Sequence, residues 1–262
     1  RFITVTNLKS SDFNAVRKGF ERVIRPRLAD ARFFWEQDNK SSLECWLPRL
    51  DNIVFQKQLG TVLDKSKRIA SISEKIAEVT SVDIQSTKRG GLLCKCDLVS
   101  QMVGEFPELQ GIMGRYYAEQ SGEDHEVALA IGEHYLPAFS GDRIPARAIA
   151  KVVAVADRVD TLTGIFATGL KPTGNKDPFA LRRAALGLIR LLLDGELNIT
   201  LDEVLTIAAS AVMQQLPVSA QSSQELRRFI IERLKHHLLD LDYDNSLVNA
   251  VLDAPLGSLP DL

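Results

Sequence analysis

Cysteine is scarce in this sequence and poorly placed for chemistry. The 262 residues hold three cysteines, Cys45, Cys94 and Cys96, odd in number and without a CxxC spacing. This argues against a disulfide framework and against a zinc site, and a reducing cytoplasm is the simple reading. No apolar run reaches the ~18 residues expected of a membrane span, so no membrane role is expected. The opening RFITVTNLKSSD lacks the basic start and apolar stretch of a signal peptide. It also lacks an initiator Met, which reads as a piece of a longer protein.

An excess of charge of one sign is missing as well. Lys and Arg total 32 against 34 Asp and Glu, a net charge of −2, so any basic face for nucleic acid must be local. There is no GxxxxGK[ST] phosphate loop, no HxE…PCxxC deaminase set and no GxSxG elbow. No repeat of fixed period and no low-complexity segment is visible. What is present is 45% hydrophobic and 25% charged residues, enough for a real core beneath a polar surface.

RFITVTN alternates like a short strand. Ser11 or Asp12 can cap a following helix to about residue 38, with Pro26 marking a kink or break. Residues 1–58 read as the end of a preceding domain, a short α/β segment. From Leu59 the pattern is helical: Leu63, Ile69, Ile72, Ile76 and Val79 form one apolar stripe over 61–80. Further helices are predicted over 84–106, 107–119, 123–135, 146–167, 178–193, 201–215, 221–241 and 245–252. The expected fold is mainly α, with a helical domain over 59–200 and a helical extension over 201–262.

The chemistry-bearing stretch runs from Gly141 to Gly187. In VADRVDTLTGIFATG, Asp157 and Asp160 stand three residues apart on an apolar, helix-period background, so both carboxylates share one face. Burying such a pair is costly unless a cation or hydrogen-bond donor meets it.

The order of signals from Lys65 to Asp160 resembles the HD superfamily of metal-dependent phosphohydrolases. Where that family opens on His, this chain reads Lys65-Ser66-Lys67-Arg68-Ile69-Ala70. Where its His-Asp pair follows a small-small-Leu-Leu run, this chain reads Gly90-Gly91-Leu92-Leu93-Cys94-Lys95. Asp157, in Val155-Ala156-Asp157, is the one ligand position kept. A protonated lysine has no lone pair for a metal, and the ammonium groups would repel one. The resemblance therefore implies a degenerate HD domain without a metal, in which Lys65 or Lys95 takes the metal's place; Asp157 is expected to meet one of these, Arg158, or helix-end N–H donors. The alternative is that the likeness is ordinary helical patterning. His134 reads as a satisfied or surface residue.

Four longer motifs narrow the resemblance: FQKQLGT, KCDLVSQMVGEFPELQGIMGRYYA, ADRVDTLTGIFATG and DPFALRRAALG. In this order they are similar to the β subunits of bacterial glycyl-tRNA synthetases, over about residues 1–200. The resemblance implies an α2β2 glycine–tRNA ligase using ATP and magnesium, bound by the α subunit, where the active site lies. It implies a β subunit that binds tRNA(Gly), by its acceptor end on this reading. No cofactor is expected in this piece, and no catalytic residue.

Candidate RNA contacts are basic side chains with an uncommitted charge. Arg182 and Arg183 follow Asp177-Pro178, which suit a helix cap and first turn. Pairing of these arginines with Asp157, Asp160 or Asp177 is the structural alternative. Arg115 and Tyr116 offer charge beside a stacking surface, with one of Tyr116 and Tyr117 in the core. Arg228 and Lys235 complete the set, or else form a solvated helix face. The expected function is a non-catalytic, tRNA-binding and domain-positioning part of the ligase. Its alternatives are a purely structural connector that assembles subunits, and an active HD phosphohydrolase.

Overall fold

Polar side chains able to cap a helix recur where apolar periodicity begins. The computed structural model describes residues 2–7 and 9–253. Among these, 68% of the chain is helical, with one two-stranded sheet, so the fold is mainly α. Helix α1 (Phe13–Asp38) starts where the Asp12 carboxylate accepts from the N–H groups of Asn14 and Ala15. A hairpin of β1 (Val54–Gln56) and β2 (Gly60–Thr61) then leads into α2 (Val62–Thr80) through a Thr61/Asp64 capping box. Asp83 caps α3 (Ile84–Leu93), and Ser100 caps the short α4 (Gln101–Glu105).

Next come α5 (Ile112–Gln120), α6 (His125–Glu133), α7 (Ala148–Ala167) and α8 (Leu181–Asp194). They are followed by α9 (Leu201–Val212), α10 (Ala220–Asp240) and α11 (Asn245–Asp253). Helix α7 lies at the centre, packed on α2, α3, α6, α8, α9 and α10. It is apolar on most sides and, apart from the half-buried Lys151 and Thr161, buried from Ile149 to Phe166, as a core helix must be. Helices α2 and α3 lie close because Gly91 has no side chain: a Cβ there would stand 3.1 Å from the Ala70 Cα. One core takes in Leu43 and Trp46 ahead of the hairpin and Leu226, Ile230 and Leu234 on α10.

Several expected elements differ. Residues 2–7 form no strand: alternation alone does not make one where no neighbouring strand takes the backbone N–H and C=O groups. Expectations for Arg1, Leu8 and 254–262 lie outside the described residues. Pro26 does not break α1, which runs through it on an exposed stretch. The helix expected over 84–106 is interrupted by 3₁₀ turns at Cys96–Val99, where the buried Asp97 carboxylate turns inward to accept from Gly111 N and Gly114 N. The one expected over 107–119 starts late, after 3₁₀ turns at Pro107–Leu109 and Gly111 at φ +79°.

The end of α1 is tied in by charge. The Asp38 carboxylate accepts from Gln101 N, Met102 N and the Tyr117 hydroxyl, and the Tyr117 ring stacks on Trp35. Tyr117 is the buried member of its tyrosine pair and Tyr116 the exposed one. Two cysteines are buried and Cys45 is exposed; burial pushes the Cys94 thiol up to about 12 and the Cys96 thiol higher still.

Candidate functional site: a cation-filled pocket beneath a basic groove

Two basic residues on α2, Lys65 and Arg68, face two acidic residues on α7, Asp157 and Asp160. Both pairs are spaced i, i+3, so each presents its charges on one helix face. Lys65 Nζ donates to Asp160 Oδ2 at 3.0 Å, to Thr161 Oγ1 at 2.7 Å and to the Asp157 carbonyl at 3.2 Å. These three acceptors use its three protons. Asp157 Oδ1, 2.9 Å from the same nitrogen, is held by charge with no hydrogen bond aimed at it. Arg68 Nε donates to Asp160 Oδ1 at 2.6 Å, and its Nη1 reaches Leu59 O at 2.9 Å and the Gln215 side chain beyond α9.

Lys95, just after α3, closes the other side of Asp157. Its Nζ donates to Asp157 Oδ2 at 2.7 Å and lies 2.9 Å from His134 Nε2 and 3.9 Å from the centre of the Tyr135 ring. His134 Nδ1 lies 2.7 Å from the Ile131 carbonyl, an acceptor only, so Nδ1 carries the proton and Nε2 accepts from Lys95. Burial, joined by the Lys95 charge, holds His134 neutral, well below the ordinary histidine range. For Asp157 burial pushes upward, but the Lys65 and Lys95 ammonium groups outweigh it and hold the carboxyl well below its usual value.

Arg158 does not join the acidic pair. It donates to four carbonyl oxygens, those of His134, Tyr135, Pro137 and Ala154, at 2.9–3.0 Å. Burial lowers it to about 10, against the attraction of Asp157, so it stays cationic at neutral pH. Cys94, next to Lys95, is fully buried and donates to Gly91 O outside the ionic cluster.

This donor set does not suit a divalent metal. The Asp157 carboxylate is flanked by two ammonium groups, and the free lone pair of His134 is taken by one of them. Among the described residues, no group of three or more His, Cys, Asp or Glu is arranged to hold a metal ion. A metal entering here would have to displace cations already hydrogen-bonded in place.

Above the cluster lies a cavity of 480 Å³ lined by Asp157, Arg158, Thr161, Tyr135, Phe179 and Arg183. Arg183 also lines a second, larger groove of 910 Å³, formed by residues 138–141, α8 and α10. Asp177 and Pro178 precede α8 instead of opening it. Asp177 accepts from Leu181 N and Arg182 N across the left-handed Ala180, and Arg182 donates to Gly174 O. Neither Arg182 nor Arg183 pairs with Asp157 or Asp160, whose oxygens face α2 and Lys95.

The other candidates are dispersed. Arg115 pairs with Glu119 at 2.8 Å beside the exposed Tyr116 on α5. Arg228 and Lys235 lie on the side of α10 away from the larger groove, where Lys235 donates to Asn249. Sequence reasoning passed over Arg68, Thr161 and the anchoring roles of His134 and Arg158. The matched i, i+3 spacing of Lys65/Arg68 and Asp157/Asp160 was the available signal. No comparable signal marked Arg190; Arg233, His236 and His237 lie in the same basic segment as Arg228 and Lys235, and all four share the groove with Arg182 and Arg183.

Comparison with known proteins agrees with the motifs. The family described as "Glycyl-tRNA synthetase beta subunit" matches over residues 1–253. The glycine–tRNA ligase beta subunit of Pseudomonas fluorescens is 45% identical over 261 residues, covering 100% of this chain and 38% of that protein. The Coxiella burnetii beta subunit is 49% identical over 251 residues, covering 96% of this chain and 36% of its own. The Stutzerimonas stutzeri protein is 46% identical over 261 residues. The chain thus spans 36–38% of the length of these curated relatives.

Proposed function

Because the chain belongs to the glycyl-tRNA synthetase beta subunit family, we propose that it is a non-catalytic, tRNA-contacting and domain-positioning part of a glycine–tRNA ligase. In this reading the whole enzyme is an α2β2 assembly in the cytoplasm that joins glycine to tRNA(Gly). The α subunit holds ATP and magnesium and performs the chemistry, while this piece approaches the acceptor end of the tRNA.

One observation carries the non-catalytic half. Lys65 and Lys95 surround Asp157 at 2.9 and 2.7 Å, where a phosphohydrolase would need a metal to activate water. Two ammonium groups held by histidine, threonine and carbonyl partners have no water-activating role. They lock α2, α6 and α7 together, as a positioning element requires. The metal-dependent phosphohydrolase reading has no donor set to stand on. The connector reading shares the lock and differs only in its treatment of RNA.

The RNA-contacting half is supported by Arg183, exposed at the mouth of both cavities and, among the described residues, without a carboxylate partner. Replacing Arg115, Arg182 and Arg183 with Ala in the intact enzyme is expected to weaken tRNA binding and aminoacylation. Glycine-dependent ATP–pyrophosphate exchange is expected to stay largely unchanged. Unchanged tRNA affinity, with no protection of this domain in a tRNA footprint, would leave the connector reading in its place.

A further inference from the structure

Most surface arginines of this chain are already spoken for. Arg27 pairs with Glu105, Arg32 with Glu36, Arg89 with Glu44 and Glu123, Arg115 with Glu119, Arg143 with Glu133 and Arg227 with Asp202. The groove between residues 138–141, α8 and α10 is different. It gathers Arg182, Arg183, Arg190, Arg233, His236 and His237 against two carboxylates, Asp194 and Asp240. Among the described residues, Asp194 is the one of these two carboxylates that meets a cation, loosely, at 3.6 Å from Arg190.

Arg182 donates to the Gly174 carbonyl, which fixes its guanidinium and leaves its charge uncancelled, while Arg190 donates to the Asp142 carbonyl and keeps only its loose contact with Asp194. The Arg233 guanidinium lies 6.0 Å from the centre of the Phe229 ring, and its Nε is buried with no acceptor. At the rim, Phe139 is 64% exposed beside these cations. Uncommitted guanidinium groups beside an exposed aromatic ring are what a single strand of nucleic acid uses: charge for the phosphates and a flat face for a base.

We infer that this groove takes a single-stranded stretch of RNA, with Arg183, Arg190 and Arg233 on its phosphates and a base stacked on Phe139. The inference rests on the tRNA-contacting reading above and selects one surface for it. Arg228 and Lys235, on the opposite side of α10, and Arg115 with Tyr116, on α5, lie outside the path. A free phosphate would use the charges and have no need of Phe139, which separates the two ligands.

The test uses the intact synthetase and cognate tRNA(Gly), with binding measured across a series of KCl concentrations. Arg183→Gln with Arg233→Gln is expected to weaken binding roughly tenfold or more and to reduce the log-log salt slope by roughly 0.7 per lost contact. Phe139→Ala is expected to weaken binding roughly tenfold with the slope unchanged. Ser140→Glu, on the exposed rim, adds a carboxylate without touching the core and is expected to weaken binding too, which covers the case in which Arg233→Gln fails to fold. Loss of affinity from Arg228→Gln with Lys235→Gln, and none from the groove variants, would overturn the groove and keep the RNA-contacting function. No loss from either set, nor from Arg115→Ala, would overturn both. A slope that responds to the arginines with affinity indifferent to Phe139 would overturn the single-strand assignment in favour of a bare phosphate site.

Discussion

Lys95 Nζ lies 2.7 Å from Asp157 Oδ2 in a pocket where both side chains are almost wholly buried. The pair is not isolated, since Lys65 holds the other oxygen of Asp157 and His134 takes a further proton of Lys95. Removing the carboxylate strands the buried Lys95 ammonium and leaves Lys65 to share Asp160 with Arg68, and breaking a buried pair costs about 3–5 kcal/mol. Asp157→Ala is therefore expected to lower stability by that amount in urea denaturation. Asp157→Leu combined with Lys95→Met should lose less than Asp157→Ala, because no charge is then stranded on that side. Equal losses would show that the charges do not act as a unit.

Asp97 sets a pH dependence of the opposite sign to a salt-bridged carboxylate. Burial raises it to about 6, against the pull of the Gly111 N–H, Lys95 and the Gly114 N–H. Unfolded, an aspartate titrates near ~3.9. Between these values the folded state binds the extra proton, so this group's contribution to stability grows as pH falls from about 6 towards 4 and is lost as pH rises back through 6. The full effect is on the order of 3 kcal/mol. Asp97→Asn keeps an acceptor for the two glycine N–H groups and cannot titrate. Denaturation at pH 4, 5, 6 and 7 is expected to show this component removed, and an unchanged profile would rule it out.

Gly91 sets the distance between α2 and α3. An alanine Cβ would come 2.9 Å from Ser73 Oγ and 3.1 Å from the Ala70 Cα, and the latter is backbone that cannot turn aside. Gly91→Ala is expected to cost about 1–3 kcal/mol by overpacking. Gly104→Ala, with open space around the new methyl, serves as the control and should be close to neutral or stabilising. A thermal melt of the two variants reads the difference directly.

Divalent metals should not stabilise this fold. A ligand bound only by the folded state raises Tm, by about 2.7 kcal/mol of stability at a hundredfold excess over Kd. Because Lys65 and Lys95 already fill the space around Asp157, added Mn²⁺ or Zn²⁺ is expected to leave Tm unchanged. A saturable rise that disappears in Asp157→Ala would show a metal competing successfully with the lysines.

Much of this was written in residue order. The apolar stripe over 61–80 marked its helix within a few residues, and the capping chemistry of Asp12 marked the start of α1. The two acids of α7 announced that cations must meet them. What the order of residues left open was long-range. Whether Arg158 or Lys95 would reach Asp157 depends on Arg158 turning towards the carbonyls after α6, 21–24 positions away. The break at Cys96–Val99 depends on two distant glycine N–H groups drawing Asp97 inward. The groove depends on α8 and α10 lying side by side, which no local periodicity records.

The distribution of thiols has a practical consequence. Thiolates, not thiols, react with maleimides, and burial keeps Cys94 and Cys96 both protonated and inaccessible. Cys45 alone among this chain's cysteines stands at the surface, close to the Ser42 hydroxyl. Within these 262 residues a fluorophore can therefore be attached at one defined point, at a residue that lines neither the ionic cluster nor the arginine groove. Its anisotropy would follow RNA capture in real time on an otherwise unaltered chain.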